Sequence, residues 1–382
     1  MPAEVLDEEE EEEENKDEKL KKSIDLPLNF LGRYHTGPIV AIRELADSTQ
    51  FVTISEENTL AIWEATTGQL ISIMQMQDQP VQMNVSADGK AVFVGTVEGA
   101  FLTYDVTNRE SPRLIKQMRF YDALIPLNHI VTSLDGKIVM VSSRESNRIF
   151  VLSQKAEENY TIYGFVEMDG YILSVAFGFR DGLVYACTVL SNNLMQTARV
   201  PTVLQDDRMN PMADEFTDKK CRKLDRGSNI IISSKLTSKL FVTGEDKYLK
   251  EYELWPQDSF LSVDWRKPCI QANNEYVSHS IATTCYDFSS ELCKVVSGGK
   301  DGLVIARNPN EIRKMKDYQI YNVVNGGVSA VNLSNKIPFF YAGGQDGSIF
   351  IVSIDNDVYP REAVHAPAEG NQAINSMKSL DL

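Results

Sequence analysis

Histidine and cysteine are the side chains best suited to move protons, attack electrophiles or ligate metals near neutral pH, and the chain holds four of the first and five of the second. His35, His129, His279 and His365 stand at wide intervals, so folding alone would have to assemble any acid–base or metal cluster. Cys187, Cys221, Cys269, Cys285 and Cys293 are odd in number and form no CxxC pair. That pattern argues against a disulfide framework and a structural zinc site, and it fits a reducing compartment. No GxSxG nucleophile turn, HExxH zinc helix or GxxxxGK[ST] phosphate loop occurs. The glycine-rich residues 298–302 lack both the spacing and the following helix of a phosphate cradle. Neither a catalytic site nor a cofactor is expected.

Binding chemistry is easier to find. Lys219, Lys220, Arg222 and Lys223 place four positive charges within five residues, a cluster suited to an acidic protein surface. It has no interleaved aromatics, so it is weak support for a nucleic-acid contact. Positive neighbours also lower the pKa of Cys221, although a solvated loop cysteine is the plainer reading. The basic cluster falls in a long insertion at residues 201–228, and a second insertion at residues 255–278 carries Trp255, Phe260, Trp265, Arg266 and Tyr276. Long loops on a rigid scaffold often carry binding function, and aromatic and arginine side chains dominate interface hot spots. Trp265 and Arg266, with Trp255, are therefore the first candidates for a partner contact; the alternative is that these aromatics cover a sheet edge internally.

The net charge of −16 repels a nucleic-acid backbone, so nucleic acid is not an expected partner. Residues 1–22 contain eleven acidic and four basic positions, among them the unbroken run Glu8 to Glu14. Such a block repels itself and buries no core, and residues 1–24 are read as a disordered acidic tail. No apolar stretch reaches 18 residues and the start lacks the basic and apolar parts of a signal peptide, so neither membrane insertion nor secretion is expected. Residues 356–382, with Pro360 and Pro367 and no apolar periodicity, read as a C-terminal tail or linker.

Residues 25–355 are organised by a repeat. Seven times a β-prone run ends in small residues, turns through a short polar stretch and continues as a second β-prone run, as in FVTIS-EEN-TLAIW and FYAGG-QDG-SIFIV. Aligned on Ser55, Thr96, Ser143, Thr188, Gly244, Gly299 and Gly344, the copies are 41, 47, 45, 56, 55 and 45 residues apart. That period belongs to propeller blades rather than helical solenoids. Apolar runs at residues 39–45, 81–85, 172–177, 281–288 and 328–333 are the expected channel-lining strands, and Asp-Gly pairs supply the turns. The fold class is all-β, a seven-bladed propeller. The last copy stops near Ile354, so the β-prone residues 28–32 are expected to supply its missing outer strand and close the ring.

His35-Thr36-Gly37-Pro38-Ile39 stands 28 residues before Ile62-Trp63-Glu64, with Ser55 between. This resembles the GH…WD repeat of WD40 proteins. The resemblance implies a hydrogen-bonded structural set of His35, Ser55, Glu57 and Trp63, with Glu57 in the place of the usual turn aspartate. Tyr104-Asp105 takes the Trp-Asp place in the second copy, Asp246, Asp301 and Asp346 keep the turn acid in the last three, and His279 keeps the loop histidine in the sixth. The acidic start and the segments SVAFGFRDGLVY, KYLKEYEL and YAGGQDGSIFIV further resemble the WD-repeat proteins of cilia and flagella, nearest the axonemal tether type associated with inner dynein arms. What this implies is a non-catalytic scaffold of the ciliary axoneme, bound to dynein-associated complexes or tubulin in a hetero-complex rather than a homo-oligomer. Two alternatives remain open: a nuclear or nucleolar WD40 scaffold of ribosome assembly or chromatin, and a propeller enzyme with ionisable side chains converging in its channel.

Overall fold

The computed structural model describes residues 34–200, 219–224, 230–233, 239–243, 248–253, 274–277, 279–354 and 364–365, apart from residues 47, 134, 157, 158, 181, 182, 290, 309 and 310. The fold is all-β, and the one helical piece among these residues is a single 3-10 turn, Val323–Asn325. Accordingly no helix among them is long and apolar enough to cross a membrane.

The strands make seven four-stranded antiparallel sheets, each a meander in which consecutive strands pair. Their first strands are Ile39–Glu44, Pro80–Val85, His129–Thr132, Ile172–Arg180, Ile230–Ser233, Thr283–Ser289 and Val328–Leu333. Each lies against the first strand of the next sheet, and Val328–Leu333 also lies against Ile39–Glu44. The result is a propeller-like ring of small antiparallel sheets, compatible with a WD40-type protein.

Burial explains why the inner strands read as unbroken apolar or small runs. Ala91–Thr96, Ala100–Asp105 and Phe339–Gly344 are buried at every position because neighbouring sheets cover both faces. The outermost strand Arg113–Arg119 alternates exposed and half-buried side chains, since water reaches one of its sides. The core sits between sheets: Ile39, Phe51 and Trp63 of the first pack with Phe339, Tyr341 and Ile351 of the last.

Glycine is needed where sheets meet or turn. A Cβ on Gly95 would lie 2.4 Å from the Leu127 carbonyl oxygen of the adjoining sheet. At residues 300–302 the hairpin is a three-residue turn in which only Gly302 has positive φ (81°), rather than a two-residue turn with both residues left-handed. Asn58 (φ 61°) takes that conformation at the corresponding place in the first sheet.

Three expectations change. The fourth strand of the last sheet is Val364–His365, antiparallel to Ile349–Ser353, from the segment read as a tail; residues 28–32, expected there, lie outside the described residues, as does the acidic tail. An open edge pairs with any extended backbone through main-chain groups alone, so side-chain patterning does not reveal which segment fills it. Lys219–Lys223 is not a loop but the fourth strand of its sheet, paired with Leu194–Val200. Lysines suit a sheet edge, where they discourage further strand addition. Cys221 is therefore on a strand rather than in a solvated loop.

The meander fixes two ends for the ring. Connections into first strands and hairpins between second and third strands fall on one face, which we call the entry face; turns between first and second strands fall on the opposite one.

Candidate functional site

The implied structural set forms, but with different members. His35 is buried on the loop entering the first strand, its Nε2 2.7 Å from Thr53 Oγ1 and its Nδ1 2.7 Å from Thr59 Oγ1. Trp63 Nε1 donates to the same Thr53 hydroxyl at 2.8 Å. The pattern satisfies every group if Thr53 donates to Nε2 and Nδ1–H donates to Thr59. Burial pushes the imidazole pKa down to about 4, so the ring is neutral at pH 7. Ser55, expected to meet His35, instead contacts Thr59 at 2.7 Å and accepts the Glu57 backbone N–H at 3.3 Å. The Glu57 side chain is exposed. The strand hydroxyl that faces the histidine is two residues before the anchor, because residues i and i−2 share a sheet face and only the earlier one lies level with the ring.

The sixth sheet repeats this geometry with the acid in place. His279 Nε2 is 2.9 Å from Ser297 Oγ, two residues before Gly299, and Nδ1 is 3.0 Å from Asp301 Oδ1. Asp301 also accepts the backbone N–H groups of Ser280 (2.8 Å) and Leu303 (3.2 Å). Burial alone would raise its pKa, but the hydrogen bonds from His279, Ser280 and Leu303 outweigh that and hold the carboxyl below its usual range. In the last sheet Tyr321 takes the loop role, its buried hydroxyl bonding the Ala342 and Ser348 carbonyls at 3.0 and 2.9 Å. All three sets tie a connecting loop to its own sheet, and each is a positioning device.

The side chains with chemistry to offer a ligand are in the channel. Its entry-face end is a cavity of about 330 Å3 lined by the beginnings of first strands, with Arg43, His129, Arg144, Cys285 and Tyr286 as its titratable groups. Burial, helped by the charge of Arg144, pushes His129 down to about 3, and burial pushes Cys285 up to about 12. Tyr286 is also raised by burial. At pH 7 these are a neutral imidazole, a thiol and a phenol, groups suited to contact rather than proton exchange. A second cavity, of about 380 Å3, holds the opposite end and shares Arg43 with the first.

Among the described residues carboxylates line the second end alone, those of Glu44 and Asp287, and both serve the framework. Glu44 Oε1 accepts from Ser334 Oγ at 2.6 Å and Oε2 from Asn335 N at 2.9 Å. Its own backbone N–H donates to Asn332 Oδ1 at 2.7 Å. Asn332 Nδ2 and Leu333 N each donate to Asp287 Oδ2 at 2.6 Å. This chain of bonds stitches the first, last and sixth sheets together. Burial raises the pKa of both carboxyls against those donors.

Of the partner candidates read from the sequence, Trp255, Trp265 and Arg266 lie outside the described residues, and Lys219, Lys220, Arg222 and Lys223 share one outer strand. Thr53, Thr59, Arg43 and Arg144 were not singled out. Arg43 was legible as the one cation in the run IVAIRE, whose first four residues are apolar; Arg144 lies in a polar turn where nothing local marks it. Among the described residues no three His, Cys, Asp or Glu side chains gather as a metal-ligand set. No protein-family model matches this chain and no curated protein matches it.

Proposed function

We propose that the seven sheets are the blades of one closed, seven-bladed WD40-type propeller, and that the chain is a non-catalytic protein-interaction platform working through its entry face. The observation that carries this reading is where exposed apolar side chains lie. Ten large ones are exposed among the described residues, and eight of them stand on the entry face. Tyr34, Leu124, Tyr171, Ile281 and the pair Val323 and Val324 are on connections into first strands; Val97 is on a second-to-third hairpin, and Tyr248 begins the third strand of its sheet at the same end. Only Ile73 and Ile115, on outer strands, are elsewhere. The opposite face carries polar turns such as Asp88-Gly89. Leu124 and Val324 are 67% and 86% exposed, and apolar side chains gathered on one face of a rigid body mark a surface that a partner covers. A propeller holds such contacts in fixed geometry without moving itself.

The resemblance to axonemal tether proteins supports the ciliary axoneme as the setting, with dynein-associated complexes or tubulin as partners in a hetero-complex. The test is proximity labelling with crosslinking mass spectrometry in ciliated cells, comparing the natural chain with a variant carrying Leu124→Asp, Tyr171→Asp and Val324→Asp. Axonemal neighbours crosslinked at the entry face and lost in the equally stable variant are expected. Nuclear signal with empty axonemes would remove the ciliary setting, and crosslinks unchanged by the variant would remove the platform face.

A further inference from the structure

The cavity at the centre of the entry face has an unusual charge. Arg43 and Arg144 line it, none of the described residues lining it is an aspartate or glutamate, and the chain around it has a net charge of −16. The two come from different sheets: Arg43 from the first strand of the first, half-buried, and Arg144 from the second-to-third hairpin of the third, exposed. Arg43 Nη1 donates to the Ile42 carbonyl at 2.7 Å, and the Arg144 hairpin is fixed by its backbone N–H donating to Asn128 Oδ1 at 3.0 Å. Among the described residues neither guanidinium forms an ion pair. Asp287, toward the other end, is close enough to feel the charge of Arg43, which opposes the rise that burial causes in its pKa, and both it and Glu44 accept framework hydrogen bonds.

Two guanidinium groups lining one cavity repel each other, and among the described residues only Arg43 has an acid, Asp287, near enough to offset its charge. A carboxylate placed between them converts repulsion into charge-assisted hydrogen bonds, for which the planar guanidinium fork is well shaped. We infer that this cavity binds a carboxylate side chain from an acidic segment of a partner protein, whose flanking apolar side chains cover the exposed residues around the mouth. The inference rests on the platform reading and adds the chemistry of its partner. The chain's own acidic run is a poorer occupant: residues 7–19 contain no apolar side chain to match Leu124, Tyr171 and Val324.

The test uses the full chain and a fluorescein-labelled peptide alternating glutamate and leucine, beside its glutamine-leucine counterpart and a phosphoserine-leucine one, read by anisotropy at low salt and at about 0.5 M salt. The glutamate peptide is expected to bind about tenfold more tightly than the glutamine peptide. Arg144→Gln, exposed and remote from the core, should erase that difference, as should high salt. Equal binding of the glutamate and glutamine peptides, or a preference untouched by Arg144→Gln, overturns the carboxylate site while leaving the crosslinking test of the platform to stand alone. Absence of binding by any peptide also overturns it. Tighter binding of the phosphoserine peptide would reassign the cavity to phosphate, and binding seen only after removal of residues 1–33 would assign it to the chain's own tail; either result overturns the proposal.

Discussion

Asp301→Ala is expected to be among the most destabilising single changes outside the apolar core. Asp301 is 5% exposed and accepts from His279 Nδ1 at 3.0 Å, Ser280 N at 2.8 Å, Ser280 Oγ at 3.2 Å and Leu303 N at 3.2 Å. Truncation leaves a buried imidazole N–H and a loop N–H without partners. A hydrogen bond to a charged acceptor contributes roughly 1.5–3 kcal/mol, but losses within one network do not add, and breaking a buried pair costs about 3–5 kcal/mol. The expected loss is about 4 kcal/mol, which for a cooperative unit of about 300 residues lowers Tm by roughly 6 °C. Asp346→Ala provides the scale. Among the described residues its carboxylate accepts the Ser348 N–H (3.0 Å) and hydroxyl (2.6 Å) alone, so a loss of about 1–2 kcal/mol is expected. Urea unfolding of both variants, with m held equal, measures the difference. The pH dependence is a second check. A carboxyl whose folded pKa is depressed stabilises the fold above its unfolded pKa and loses that contribution as pH falls through the folded value, so the gap between Asp301→Ala and the natural chain should narrow below about pH 4. Equal losses in the two variants, or a gap that widens in acid, would refute the assignment of Asp301 as the anchor of this loop.

His35→Gln tests the same sign of linkage in a base. With its folded pKa pushed down to about 4, His35 must take up a proton on unfolding between about pH 6.5 and 4, so the stability of the natural chain falls as pH drops through that window. The variant should lose about 1.4 kcal/mol per pH unit of that slope, read from urea midpoints at pH 6 and 5; an unchanged slope would show that the imidazole titrates in water. Cys187 and Cys285, both held near 12 by burial, should resist alkylation at pH 8 until urea unfolds the chain. Fast labelling of either in native buffer would contradict the packing described for it.

The resemblance was most legible where the chemistry is local. His35, Trp63, His279 and Asp301 each announce their role by residue type and spacing, and the structure seats all four in hydrogen-bonded sets. Ser55 and Glu57 were misassigned because the register of a strand against a loop is set by the loop's path: Thr53 and Thr59 are the hydroxyls that lie level with the imidazole. The basic run at residues 219–223 shows the same limit, since its composition suits a solvated loop and an outer strand equally, and only the open edge of Leu194–Val200 decides between them.

By itself the sequence determined the repeating unit. Turn residues, small residues where sheets approach and apolar runs two-sidedly buried are demands of a four-stranded meander, met within some forty to fifty residues at a time. What only the tertiary structure decided is what distant copies share. Arg43 and Arg144 are about a hundred residues apart in sequence yet line one cavity, Glu44 is held by Ser334 and Asn335, and exposed apolar side chains from the same end of all seven sheets gather on one face. The reason is that a ring brings equivalent ends of every unit to a common axis and a common rim, so the charge and the apolar surface found there are sums over copies that no local window of sequence contains.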